Sequence, residues 1–269
     1  KNLSTETQST VEEQREGNYA LQPMSADEFV RRVTEGQPLA PGYFGYDASL
    51  NKQMRGLLDE TEPSRGLSFD EVEAAQRDGA VVLDTRDATA FAAGHLAGSY
   101  DVGADGRFAE YAGSVVDHGT PIVLVTDPGR EHEAKIRLGR IGYDAVLGHL
   151  VDPPRAFYEH PEAVRKSSRL SAEQLEARLR DVPGLVVIDV RNPGELDRGQ
   201  IDGAVNIPVA ALSSRLAELD PDRPTVVHCA GGYRSILASS YLEASGFTDV
   251  SDLLGGYAAW ADRQQPTPV

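Results

Sequence analysis

The chain has 269 residues, 40% of them apolar and 25% charged, with a formal net charge of −16. That length exceeds one ordinary core and implies about two domains at the usual ~100–200 residues each. The acidity argues against a nucleic-acid partner, whose phosphates would be repelled, and no run of about 18 apolar residues exists to span a membrane.

In chain order, residues 1–16 are polar, with only Leu3 and Val11 as apolar contributors, and read as disordered or weakly ordered. They lack the apolar stretch of a secretory signal. A short amphipathic helix follows, with Ser25 and Glu28 at capping-box spacing ahead of Phe29 and Val33. The segment PLAPGYFGYDASLNKQMRG is rich in proline, glycine and tyrosine, too irregular for a core and too aromatic for a free linker.

From residue 66 onward the sequence repeats itself. VLDTRD lies on VIDVRN and GHLAGS on GQIDGA at one constant offset, PIVLVT (121–126) matches PTVVHC (224–229), and RIGYDAV matches ASGFTDV. Each copy opens on a capping box, Ser68 with Glu71 and Ser171 with Gln174. Short continuous apolar runs at Val81–Leu83, Ile122–Val125, Val186–Ile188 and Val226–Val227 predict strands buried on both faces. They alternate with helical patterns such as Ala210–Leu219 and Ile236–Ala244. The alternation predicts an α/β fold in which each copy is a parallel sheet flanked by helices on both faces. Ligands of such sheets bind beyond the C-terminal strand ends.

The only cysteine, Cys229, stands at such an end. One cysteine excludes an internal disulfide and fits a reducing cytoplasm, where the protein is expected to reside. In TVVHCAGGYRSILASS a strand ends at His228, and Cys229 to Arg234 form a tight loop. Gly231 and Gly232 are able to take positive φ and turn backbone N–H groups inward. Such a nest, continued by a helix N-terminus and reinforced by the Arg234 charge, is an anion cradle that favours a thiolate. The alternative is an inert buried cysteine, which the Gly-Gly loop and the nearby arginine disfavour.

These residues resemble the active-site loop of the rhodanese family. The second copy also carries IDVR at 188–191, GQIDGAVNIP at 199–208 and LGGYAAW at 254–260, so the resemblance covers essentially all of residues 164–262. It implies a sulfurtransferase in which Cys229 is the nucleophile and accepts sulfane sulfur from thiosulfate or a persulfide. Ala230, Gly231, Gly232, Tyr233 and Arg234 would form the cradle, with sulfur passed on to a thiophilic acceptor. One departure is Gln200, where the family often has histidine. His228 is expected to pack on the opposite side of the strand, Asp189 and Arg191 to form structural hydrogen bonds, and Trp260 to lie in the core.

In the first copy the position of Cys229 falls on Thr126 or Asp127, and that of Arg234 near Arg130 or Glu131. Neither Thr126 nor Asp127 can hold a persulfide. Asp127, His132 and His95 have no recognisable ligand spacing, so neither a metal nor a cofactor is expected in this chain. The N-terminal segment resembles the stretch that follows the metallo-β-lactamase-fold domain of bacterial persulfide dioxygenase-type proteins. That resemblance implies a C-terminal piece of a longer fusion, with Tyr43–Tyr46 packing on the missing domain. The expected division is an extension or linker over 1–62, a cysteine-less rhodanese-like domain over 63–163 and a rhodanese domain over 164–269. Expected partners are small sulfur-containing anions or persulfides and such a domain in the full-length protein. Two other functions compete with this reading: a non-catalytic regulatory or docking module, and a rhodanese-fold phosphatase, whose loop has five residues between cysteine and arginine where this chain has four.

Overall fold

The computed structural model describes residues 7–37, 39–54, 56 and 59–264. The chain divides into two compact units, one ending at residue 39 and the other beginning at residue 40. In the first unit, Val11–Gly17 is a helix and not the weakly ordered segment its polarity predicts; residues 1–6 lie outside the described residues. A full capping box explains the helix: Thr10 Oγ1 accepts from the Glu13 amide, and the Glu13 carboxylate accepts from the Thr10 amide. The expected helix at Ser25 is present as Ala26–Thr34, its first turn capped by Ser25 Oγ.

The second unit holds both sequence repeats. The first builds a sheet of strands β1 (Gly66–Leu67), β2 (Val81–Asp84), β3 (Tyr100–Asp101), β4 (Ile122–Val125) and β5 (Val146–Leu150). The second builds β6 (Ser168–Leu170), β7 (Val186–Asp189), β8 (Val205–Asn206), β9 (Thr225–His228) and β10 (Val250–Leu253). Every pairing within the two sheets is parallel, with spatial orders β1-β5-β4-β2-β3 and β6-β10-β9-β7-β8. The two topologies coincide, and helices lie between the strands in sequence, as the alternating pattern predicts. Each repeat starts its first helix with the capping box read from the sequence, Ser68 with Glu71 and Ser171 with Gln174.

Strand alternation sends successive side chains to opposite faces. In β9 and the residue after it, Val227 and Cys229 enter a core made from both repeats, which also contains Leu83, Phe108, Leu124, Ile188 and Leu237. Val226 enters a separate core with Leu175, Ile201 and Leu253, on which Trp260 packs partly buried. The helix Val209–Arg215 of the second repeat lies on Phe108–Val115 of the first, and Tyr233–Ala244 covers the edge strand β3. Ser240 Oγ there accepts the Asp101 amide at 2.9 Å, so one amide on the open strand edge finds its partner in the other repeat.

The aromatic segment packs on this same unit. Tyr43, at the start of the helix Tyr43–Leu50, is buried, its ring so close to Gly113 that an added Cβ would lie 2.3 Å from Cδ1. Tyr46 stacks on His118 with ring centroids 3.9 Å apart. Of the Tyr43–Tyr46 segment expected to pack on a missing domain, Tyr43 is buried within this unit, while Phe44 and Tyr46 are exposed. Among the described residues no helix is long and apolar enough to cross a membrane.

Candidate functional site

Cys229 follows directly on β9, and its side chain is buried. Its Sγ accepts a hydrogen bond from the Gly232 amide at 3.1 Å and lies 3.8 Å from Ser235 Oγ. Gly232 has φ +106, a left-handed conformation that turns its N–H back toward the sulfur and serves as N-cap of the helix Tyr233–Ala244. Gly231 does not share this conformation; only one of the two glycines is at positive φ. The helix begins at Tyr233, so Tyr233 and Arg234 stand on its first turn and the loop proper is shorter than the sequence implies. A 12-residue helix aimed at the sulfur adds the positive end of its dipole to the site.

The remaining orientation of the loop comes from the LGGYAAW motif. The helix Gly256–Gln264 starts against the loop, where the Tyr257 amide donates to the Cys229 carbonyl at 2.7 Å and the Ala258 amide to the Ala230 carbonyl at 3.1 Å. With these carbonyls held outward, the opposite faces of the peptide units are free to present N–H groups to the sulfur. Gly256, at φ +57, permits the close approach: an added Cβ would lie 2.5 Å from the Cys229 carbonyl oxygen.

Arg234 does not point unpaired at the sulfur. Its two terminal nitrogens grip the Glu195 carboxylate at 2.6 and 2.9 Å, and Glu195 Oε1 also accepts from the Asn192 amide at 3.0 Å. Hydrogen bonds from Arg234 hold the Glu195 carboxyl below its ordinary range, and the Arg234 guanidinium is correspondingly raised. The Asn192–Glu195 capping-box spacing in RNPGE is the one local sequence signal that bears on this partner.

The first repeat reaches into the site. Tyr233 Oη donates to the Gly103 carbonyl at 2.7 Å, with the Asp105 carbonyl 3.3 Å away. Its ring lies 5.4 Å from that of Tyr111, and the Arg107 guanidinium sits 5.4 Å from the Tyr111 ring centre. Burial raises the Tyr111 hydroxyl, opposed by the nearby charges of Arg234 and Arg107 and assisted by Glu110 and Cys229. Sequence reasoning confined to one repeat missed Arg107, Glu110 and Tyr111, since nothing local connects them to a loop more than a hundred residues away.

The residues assigned structural parts behave so. His228 is fully buried, its ring 6.4 Å from Tyr257 and its Nε2 3.6 Å from Asp189, with burial lowering the imidazole. Asp189 and Arg191 form a buried pair, Nη2 to Oδ2 at 2.6 Å. In the first repeat, the pairing of Asp84 with Val125 matches that of Asp189 with His228, which makes Thr126 the counterpart of Cys229. Arg130 turns to Asp105 and Glu133. Among the described residues no group of three or more His, Cys, Asp or Glu side chains could hold a metal ion.

Comparison with known proteins agrees with this architecture. The model of the rhodanese-like domain matches residues 68–148 and 171–263. A sulfurtransferase of Allochromatium vinosum is 34% identical over 99 residues, 37% of this chain and 92% of that protein. The thiosulfate sulfurtransferase GlpE of Shewanella oneidensis is 37% identical over 91 residues, 34% of this chain and 89% of the relative. A solved thiosulfate sulfurtransferase from Pseudomonas aeruginosa is 26% identical, with 75% of this chain and 43% of that one covered at a TM-score of 0.34. With the family matched twice and over more than half its length, the chain belongs to the rhodanese-like domain family.

Proposed function

We propose that the protein is a sulfurtransferase that moves sulfane sulfur from thiosulfate or a low-molecular-weight persulfide to a thiophilic acceptor through a persulfide on Cys229. The observation that carries this reading is the 3.1 Å hydrogen bond from the Gly232 amide to Cys229 Sγ, at the C-terminal end of β9 and the head of a helix. A thiolate there attacks the outer sulfur of the donor. The bond from that sulfur to its former partner breaks, and sulfite or a thiol departs. The charge then rests on the transferred sulfur, where backbone N–H groups and the helix dipole stabilise an anion. An acceptor thiolate or cyanide attacks the same sulfur and restores Cys229.

In this scheme Cys229 is the nucleophile, and the Arg234 guanidinium, its charge largely balanced by Glu195, acts on the sulfur electrostatically. The backbone of Ala230, Gly231 and Gly232 and the ring of Tyr233 shape the cradle. The first repeat, with Thr126 in the cysteine position, takes no sulfur and serves to frame the site. The chemistry uses no metal or cofactor from this chain. We place the activity in cytoplasmic sulfide or persulfide metabolism, alongside a metallo-β-lactamase-fold domain of a longer protein.

Thiocyanate formation from cyanide and each donor tests the proposal. Turnover is expected with the native chain and none above background with Cys229→Ser. Equal turnover in the two proteins would remove Cys229 from the reaction.

A further inference from the structure

Arg107 of the first repeat lies over the Tyr111 ring, and Arg234 of the second follows Tyr233, whose ring is 5.4 Å from that of Tyr111; both arginines are already paired. Arg234 is gripped through both terminal nitrogens by Glu195. Arg107 is clasped by Glu110 through Nε and Nη2. The Arg107 guanidinium sits 5.4 Å from the Tyr111 ring centre, and the charges of both arginines act on the Tyr111 hydroxyl. Each of these two charges is matched by one carboxylate, on a protein whose net charge is −16. Alongside them stand two aromatic rings, Tyr111 from the first repeat and Tyr233 from the second, 5.4 Å apart and tilted by 47°.

The candidate donors differ in the feature this arrangement senses. Thiosulfate is a compact, strongly hydrated dianion, and removing it from water calls for positive charge that is not already spent. A small persulfide with an uncharged body carries at most one charge, on its sulfur pair, and ring faces suit such a body. We propose that Glu110 and Glu195, by neutralising Arg107 and Arg234, and the Tyr111–Tyr233 pair, by lining the approach, set the site to take sulfur from an organic persulfide in preference to thiosulfate.

This rests on the sulfurtransferase reading of Cys229. With the persulfide RSSH, the Cys229 thiolate bonds to the terminal sulfur and the S–S bond breaks. RS⁻ then takes the proton, leaving the enzyme persulfide anion and RSH. With thiosulfate, the same attack releases sulfite as the dianion. Charge balances in both, and neither needs an oxidant or a reductant. The two differ in the charge brought to the site, on whose arginines Glu110 and Glu195 act.

The test is sulfur loading of Cys229 with two probes, thiosulfate and the persulfide of 2-mercaptoethanol, whose body is uncharged. The readout is the ratio of their kcat/KM values. The native ratio is expected to favour the persulfide. Glu110→Gln, at a partly exposed ion pair, and Glu195→Gln should each release one positive charge and lower the ratio by about tenfold, the effect of one unit charge acting at several ångströms through a partly hydrated medium. Tyr111→Ala should lower the ratio from the other side, through a raised KM for the persulfide. A native preference for thiosulfate, or ratios unmoved by both glutamine variants, overturns the selectivity inference while leaving sulfur transfer standing. Loading by neither probe overturns the sulfurtransferase reading itself.

Discussion

Replacing Gly256 by alanine would drive a methyl group into the backbone that holds the Cys229 loop. The added Cβ would lie 2.5 Å from the Cys229 carbonyl oxygen, 2.7 Å from the Ala230 carbonyl carbon and 2.8 Å from its oxygen. These are main-chain atoms, which cannot swing aside as the tip of a side chain could. The residue also sits at φ +57, where an alanine loses roughly 1–2 kcal/mol relative to glycine. Relief of the clash by backbone movement adds about 1–3 kcal/mol. The expected loss is therefore about 2–5 kcal/mol of folding stability. Movement there would also stretch the bonds from the Tyr257 and Ala258 amides to the Cys229 and Ala230 carbonyls, and with them the orientation of the peptide units around the sulfur. Gly231→Ala is the matched control, because its added Cβ meets nothing within 4 Å and its φ is not positive. Urea unfolding of both variants, with Cys229 sulfur loading measured on each, provides the assay. Gly231→Ala should stay within about 0.5 kcal/mol of the native chain, as substitutions free of packing or backbone conflict do. A Gly256→Ala variant as stable as its control would refute the argument that close backbone packing fixes this loop.

Three further outcomes follow from the same structure. Tyr233→Phe removes the hydrogen bond to the Gly103 carbonyl and should lower stability by about 0.5–1.5 kcal/mol in urea melts; no change would mean that the contact between repeats contributes nothing. Arg191→Leu leaves the buried Asp189 carboxylate without its main partner and should lose about 3–5 kcal/mol, whereas a loss under 1 kcal/mol would show that Asp189 finds another. Burial, assisted by Asp252, pushes the Glu243 carboxyl up to about 7 from an ordinary 4.5. A raised carboxyl contributes its stability fully below about pH 4.5 and loses it as pH rises through about 7, so the native chain should weaken by at most about 3 kcal/mol over that window. Glu243→Gln should flatten this slope, and a stability difference independent of pH would contradict the assignment.

Much of the architecture was legible because parallel strands buried on both faces leave continuous apolar runs, and because each repeat opens on a capping box. The position of Cys229 was equally readable: a lone cysteine between an apolar run and a helix, beside two glycines, has few places to go. The conformations of the glycines were not. Composition permits positive φ at Gly231 and Gly232 alike, and the fold places it at Gly232, the N-cap of the helix Tyr233–Ala244. The helix at Val11 was missed because capping, not hydrophobic periodicity, starts it. Tyr43 and the Arg107–Glu110–Tyr111 group were missed for a common reason. Their meaning lies in contacts between segments far apart in the chain, which no local pattern encodes.

The most direct test of the account is the intact mass of the protein after brief exposure to thiosulfate or an organic persulfide, beside Cys229→Ser. A gain of one sulfur atom, removed by cyanide and absent from the variant, is the expected result. An unchanged mass with both donors, or the same gain in Cys229→Ser, would contradict the claim that this loop carries sulfur.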